Sequence, residues 1–546
     1  VTLRPTLPVV RTTLCLLGLL LMGACYAVQP RPAAVEHADR TSVGSGGRQV
    51  QQGGDLVMGL SAEPDVLDPT TSSSLYTRYV MSSICEKLYD LDAKTELVPQ
   101  LASALPTLSD GGLTVTIPLR QGIEFADGTK FDAAAVKTTL QRDLTKKDSA
   151  RASEMGPVQS IDTPDDHTVV LHYKTPFAPI TAALADRAGM IMSPAALKKY
   201  GDDFGNHPTC VGPFRFVKRV PQTEIVVRRD PRYYDAKDVH LDTITYRIMT
   251  DANIRAANLR SGQVQVIDTV SAQDVDALRR EPGIGLLQVG SLGYQGVTFN
   301  VGNTRGLGKP PGKIDTPEAR DARVRRAFEL SVDRTALVNS VFNNWAEPAC
   351  SGVAPDTEYA TTASNHCPAY DPKRARQLLR AAGVRTPLKL TMTLTNTPDT
   401  LRLGQALQAM VKKGGFDLRL QAVEYSTLLD QQDRGDFDLL QLGWSGRIDP
   451  HGNLYTFLAT EQGNNVAGYS NKEVDALLAQ AAQQTDPVQR GATYGQAVTA
   501  VQQDDPIVYL YRQRNLTAYS TDVTGISAYA DGVVRLGTAA FVKGAH

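Results

Sequence analysis

Hydrophobic and polar residues alternate over LTVTIPLR, putting Leu113, Val115, Ile117 and Leu119 on one face and Thr114, Thr116 and Arg120 on the other. A period of two is that of a half-buried strand. TITYRIM repeats it with Ile244, Tyr246 and Ile248. Further on the two periods take turns. LKLTMTL (Leu388–Leu394) alternates; Pro398 then opens a helical stripe of Leu403, Leu407, Met410 and Val411, which Gly414 and Gly415 close. DLRLQAV predicts another strand, Tyr425 to Gln432 a short helix, and FDLLQLGW a third strand. Strand, helix, strand, helix, strand is the order of an α/β lobe with parallel pairing. No repeat of solenoid period is present.

The N-terminal pattern is different. Leu14 to Ala24 is almost wholly apolar, with Arg4 and Arg11 ahead of it and Pro30 and Pro32 behind. A spanning helix needs roughly 20 apolar residues, so this shorter run predicts an export signal over residues 1–24. It ends Met22-Gly23-Ala24-Cys25, which resembles the lipobox of bacterial lipoproteins, with Met22 where Leu is usual. The resemblance implies that Cys25 becomes the first mature residue and carries lipid, palmitate included. Stable anchoring needs more than one acyl chain. The expected location is the outer face of the bacterial cytoplasmic membrane. Residues 25–53, with Gly44-Ser45-Gly46-Gly47, read as a flexible tether.

A chain of 546 residues exceeds what one core organises, so two lobes are expected. The net charge of −1 gives no electrostatic case for nucleic acid. Outside the cytoplasm, Cys85, Cys210, Cys350 and Cys367 are an even set. Cys350 and Cys367 flank a Ser/Gly/Pro/Thr/Asn loop that invites a local bridge, and Cys85 would then pair with Cys210. Catalytic patterns are missing. GNTRGLGKP (Gly302 to Pro310) has the wrong glycine spacing for a phosphate loop, and neither G-x-S-x-G nor H-E-x-x-H occurs. No cofactor, metal or enzymatic activity is expected.

One segment is more specific. LVPQLASALPTLSDGGLTVTIPLRQGIEFADGTKFDAAAVKTTL, Leu97 to Leu140, closely resembles a segment of the peptide and nickel-type extracellular solute-binding proteins. CVGPFRFVKR, RRDPRYYD, ANLRSGQVQVID, GVTFNVGN, DARVRRAFELSVDRTALV, YDPKRARQLLRAAG and GDFDLLQLGW follow in that family's order. Ala135, where Asp is usual, and Val211, after a Cys, depart from it. The resemblance implies an α/β clamshell of two lobes with mixed sheets, hinged at two chain crossings near Tyr294 and Asp505. Lobe I would comprise residues 54–292 and 505–546, with a peripheral subdomain at about 91–200; lobe II would be 293–504. It also implies a Cys85–Cys210 bridge pinning two strands of lobe I. The protein would be a monomer that captures oligopeptides by closing and hands them to an ABC permease and its ATPases.

In this family the segment after Gly-Trp lies at the ligand, and in peptide binders an acidic residue there holds the α-ammonium. Here it reads GWSGRIDPHGN, Gly443 to Asn453. Asp449 holding an ammonium is favoured; Arg447 holding an anionic group is the alternative. Tyr294, Asn300, Trp444, Ser445, Asn464, Asn465 and Tyr469 complete the expected cleft. Other cargo (a metal chelate, haem, an oligosaccharide) and a lipid-anchored peptidase or hydrolase are the competing readings.

Overall fold

The computed structural model describes residues 37–543; the expected signal and Cys25 lie outside the described residues. The chain divides into Val1–His37 and Ala38–His546, and every described strand and helix belongs to the second unit.

Two mixed sheets organise that unit. The first has seven strands, ordered Ile284–Val289, Asn515–Ser520, Val266–Ile267, Asp55–Leu60, Thr243–Ile248, Glu224–Arg229, Phe214–Val220. The second has six, ordered Ala346–Pro348, Ile507–Gln513, Tyr294–Phe299, Leu439–Trp444, Leu388–Thr395, Phe416–Val423. Within each, three strands run parallel. Asp55–Leu60 pairs with Thr243–Ile248 and Val266–Ile267, and Leu388–Thr395 with Phe416–Val423 and Leu439–Trp444. The α/β pattern read from the later half is the one observed. Its helix Pro398–Gly414 starts on Thr397, whose hydroxyl accepts from the Thr400 N–H. It buries Leu403, Leu407 and Val411, and stops at Gly415, whose φ of 102° suits glycine. Phe299, Phe328 and Phe416 meet edge-on at 5.4 Å in the lobe II core.

The peripheral subdomain holds a separate four-stranded sheet (Thr107–Ser109, Thr114–Pro118, Thr168–Tyr173, Val158–Asp165) with its own apolar cluster around Val115, Leu140 and Leu171.

Three expectations need correction. The second crossing falls at Arg514, not Asp505, because Ile507–Gln513 is a buried strand paired with Tyr294–Phe299 in the lobe II sheet. The two crossings are thus neighbours: Val289 faces Asn515 in one sheet, and Gln295 faces Tyr511 in the other. The tether ends early. From Ala38 the chain is pinned to lobe I, with Arg40 bridged to Gln288, Ser42 to Ser527 and Val50 to Val542, and Val43 in the core. Both disulfides, Cys85–Cys210 and Cys350–Cys367, are present. However, the first joins no two strands of the sheet: Cys85 caps the helix Leu75–Ile84, and Cys210 sits in an isolated bridge with Met192.

Candidate functional site

All six parallel strands deliver their carboxyl ends to one cavity between the lobes. Ser61 and Ala62 follow Asp55–Leu60, Thr250 follows Thr243–Ile248, and Thr269 follows Val266–Ile267. From lobe II come Thr395 to Thr400, then Glu424 and Tyr425, then Trp444 and Ser445. Ligands of open α/β sheets bind outside strand carboxyl ends, where loops lead into helix N-termini. The hinge closes the back with Gln295, Tyr511, Gln513 and Arg514. The cavity measures about 260 Å³, near the lower end of the roughly 300–1,000 Å³ of small-ligand pockets.

Its walls are aromatic and amide-rich: Tyr76, Tyr79, Trp345, Tyr425 and Trp444 with Gln295, Asn396, Gln441 and Asn515. The charged groups there have partners. Arg255 donates to the carbonyls of Met249, Thr250 and Thr269. Glu424 caps its own helix, and Asp399 accepts from Ser271 across the cleft. Arg514 pairs with Asp39. One sheet edge is also open. Leu439–Trp444 pairs with Leu388–Thr395 only at Leu439 and Leu440, so Gln441 to Trp444 have no strand on that side among the described residues.

The expected residues divide sharply. Trp444 and Ser445 line the cavity. Tyr294 points the other way, against Tyr509 at 4.7 Å and Phe457 at 6.3 Å. Asn300 is buried and ties the Asn303, Gly435 and Phe437 carbonyls together. Tyr469 donates its hydroxyl to Asp504 at 2.6 Å, Asn464 lies in a turn whose N–H bonds Thr456, and Asn465 braces Ala459 and Tyr469. These five are structural rather than cleft groups.

The two charge readings of the loop after Trp444 both fail. Asp449, expected at an ammonium, takes Arg490 with both oxygens at 2.8 and 2.9 Å, and both side chains are buried. Arg447, expected at an anion, turns its Nε to Asp186 of the peripheral subdomain at 2.7 Å and lays its guanidinium 4.1 Å from the centre of the Trp444 ring. Arg447 and Asp449 line a separate small chamber with Glu154 and His451. Burial pushes the Asp186 carboxyl up, but Arg447, Arg78 and Arg187 together hold it well below the carboxylate range. Arg78 also bonds Ser445 at 3.2 Å, a second link between the lobes.

Asn453 sets this loop by accepting from the Trp444 indole and the Arg447 N–H while donating to the Arg447 carbonyl. Gly446, at φ 88°, passes so near the hinge that a Cβ would stand 2.3 Å from the Leu292 carbonyl carbon. Ser61, Tyr76, Thr269, Thr395 to Thr400 and Tyr425 were not foreseen. The legible signal for the lobe II members was the strand-to-helix junction itself.

The family model described as bacterial extracellular solute-binding proteins, family 5 Middle, matches residues 96–465. The glutathione-binding protein GsiB of Escherichia coli (strain K12) is 30% identical over 484 residues, covering 86% of this chain and 91% of its own. The binding protein AgaA from A. tumefaciens R10, solved with agropinic acid, superposes with a TM-score of 0.80 at 25% identity, over 90% of this chain and 99% of that one. The oligopeptide-binding protein AppA from Bacillus subtilis, solved with a nonapeptide, has the same TM-score of 0.80 at 22% identity, over 91% and 100%; that likeness is one of fold.

Two expectations follow from the loop. Asp449→Ala strands a buried guanidinium and costs about 3–5 kcal/mol of folding stability, read by urea denaturation. Cargo affinity of the folded variant should move by under about 1 kcal/mol, the scale of charges not in contact with the ligand; a hundredfold affinity loss at unchanged stability would refute this. The second concerns His451, which burial pushes down to about 4. Above about pH 6.5 it is neutral folded and unfolded and contributes nothing; as pH falls to about 4, only the unfolded chain takes the proton. Stability therefore declines through that window by about 3 kcal/mol. Urea midpoints at pH 7 and 4.5 should diverge less in His451→Phe; parallel behaviour would refute the assignment.

Proposed function

The chain belongs to family 5 of the bacterial extracellular solute-binding proteins, substrate-binding components of ABC importers, and on that premise we propose that it is a lipid-anchored receptor for short peptides of about glutathione's size. The observation that carries the reading is the cavity of about 260 Å³ between the lobes, with the strand edge at Gln441 to Trp444 open along it. A peptide backbone recognises such an edge by adding as a strand, leaving side chains to the pocket walls. Tyr76, Tyr425 and Trp444 supply flat apolar faces for those side chains. The small volume favours a few residues over a long peptide. Closure brings Arg447 to Asp186 and Arg78 to Ser445, so the shut form presents one continuous surface to a permease.

The single test is calorimetry with glutathione, a tripeptide and a nonapeptide on the same preparation. The short probes should bind at least about 30-fold more tightly than the nonapeptide, about 2 kcal/mol. Trp444→Ala should weaken them about tenfold, near 1.4 kcal/mol. Preference for the nonapeptide, or silence with all three, would refute the cargo reading.

The anchor is tested apart. The apolar run ending Met22-Gly23-Ala24-Cys25 supports acylation of Cys25. Cys25→Ser should move the protein from the detergent phase to the aqueous phase in partitioning, or leave it unprocessed. Unchanged membrane attachment would refute the anchor and leave the cargo reading standing.

A further inference from the structure

With Asp449 and Arg447 committed elsewhere, the loop after Trp444 offers cargo no free carboxylate. The lobe I wall offers something different. Asp268 is fully buried just behind the cavity. Its Oδ1 accepts the Ser61 N–H at 2.8 Å; its Oδ2 accepts the Ser61 hydroxyl at 2.6 Å and the Thr269 hydroxyl at 3.0 Å. A hydroxyl has one proton and two lone pairs. Once those protons are held on the carboxylate, Ser61 and Thr269 can only accept. The Tyr76 hydroxyl stands beside them, 3.0 Å from Ser61 Oγ.

Thr269 is held in an unusual conformation to do this. Its φ is 45°, an outlier for a β-branched residue, and Arg255 Nη2 clamps its carbonyl at 2.9 Å. Such strain persists where the surroundings over-determine it, and it gathers at ligand clamps. Arg255 Nε stands 3.9 Å from Asp268, so the two charges offset each other and the corner selects by hydrogen-bond polarity. Tyr76 and Tyr425, edge to face at 5.5 Å, add π-faces beside it.

We infer that Asp268 is a positioning residue that turns the Ser61 and Thr269 hydroxyls, beside the Tyr76 ring, into an acceptor-only pair that seats a protonated primary amine of the cargo. An ammonium has three donors and no acceptor, and its charge is attracted to aromatic faces, which fits this corner better than any carbonyl or carboxylate does. The inference rests on this cleft being the cargo site, but it does not require that the cargo be a peptide.

Glutathione and its N-acetyl derivative are the probes, titrated by calorimetry into the full chain. Acetylation should weaken binding to the unaltered protein at least tenfold. Thr269→Val, which keeps the branched shape without the hydroxyl, and Asp268→Asn, which frees the hydroxyl protons, should each shrink that ratio below about threefold. A merely structural role would lower both affinities together and leave the ratio intact. Thermal melting identifies a variant that does not fold, and the other variant then decides. A ratio near one in the unaltered protein, or a ratio unchanged in the folded variants, overturns the assignment. If glutathione does not bind, the same ratio is taken with the cargo released from protein grown in rich medium, before and after acetic anhydride. A non-peptide amine there would refute the peptide reading and uphold the seat; a peptide without a primary amine would do the reverse, and a non-peptide cargo without one would refute both.

Discussion

Arg447 and Asp186 come from different lobes and are both buried, and that pairing constrains how the lobes dock. Each ion loses several kcal/mol of hydration on burial, and only good mutual geometry repays it. The pair is therefore a weak source of net stability. Its value lies in register: a lobe docked a few ångströms away would leave one charge buried alone, which is the costly case. Arg78 reinforces the same register by holding Asp186 at 3.1 Å while bonding Ser445.

Around that fixed register the two sheets do equivalent work. Each ends three parallel strands at the same space, so side chains that follow a strand converge there without long loops to order. The hinge is short for the same reason. Its two crossings lie side by side, and the close approach of Gly446 to Leu292 places the loop after Trp444 directly on one of them.

Local pattern carried the fold well and the site poorly. Strands and helices from Leu388 to Trp444 were legible because each buries one face at its own period. The family segments gave the two lobes. Tyr294 failed for a geometric reason: on a strand adjacent residues face opposite sides, so Gln295 lines the cavity and Tyr294 packs into the core. Asp449 failed because its partner, Arg490, is 41 positions away and nothing local marks it. Thr269 follows a strand of two residues, too short to show alternation, and Asp268 acts from behind the wall. Residues that follow long strands can be found from sequence; those set by a distant charge or an orphan turn cannot.

The pinning of residues 38–53 has a mechanical consequence. Val50 meets Val542, and Arg40 reaches the sheet through Gln288, so the early and late ends of the described chain are fastened to the same lobe. Tension applied through either end travels into lobe I and does not cross the hinge. Lobe II, joined through the two crossings and docked on lobe I by Arg447 and Asp186, lies outside that path. A label or surface attachment at either end would therefore immobilise the molecule without prising the cleft apart, whereas the same attachment on lobe II would pull directly against Arg447 and Asp186.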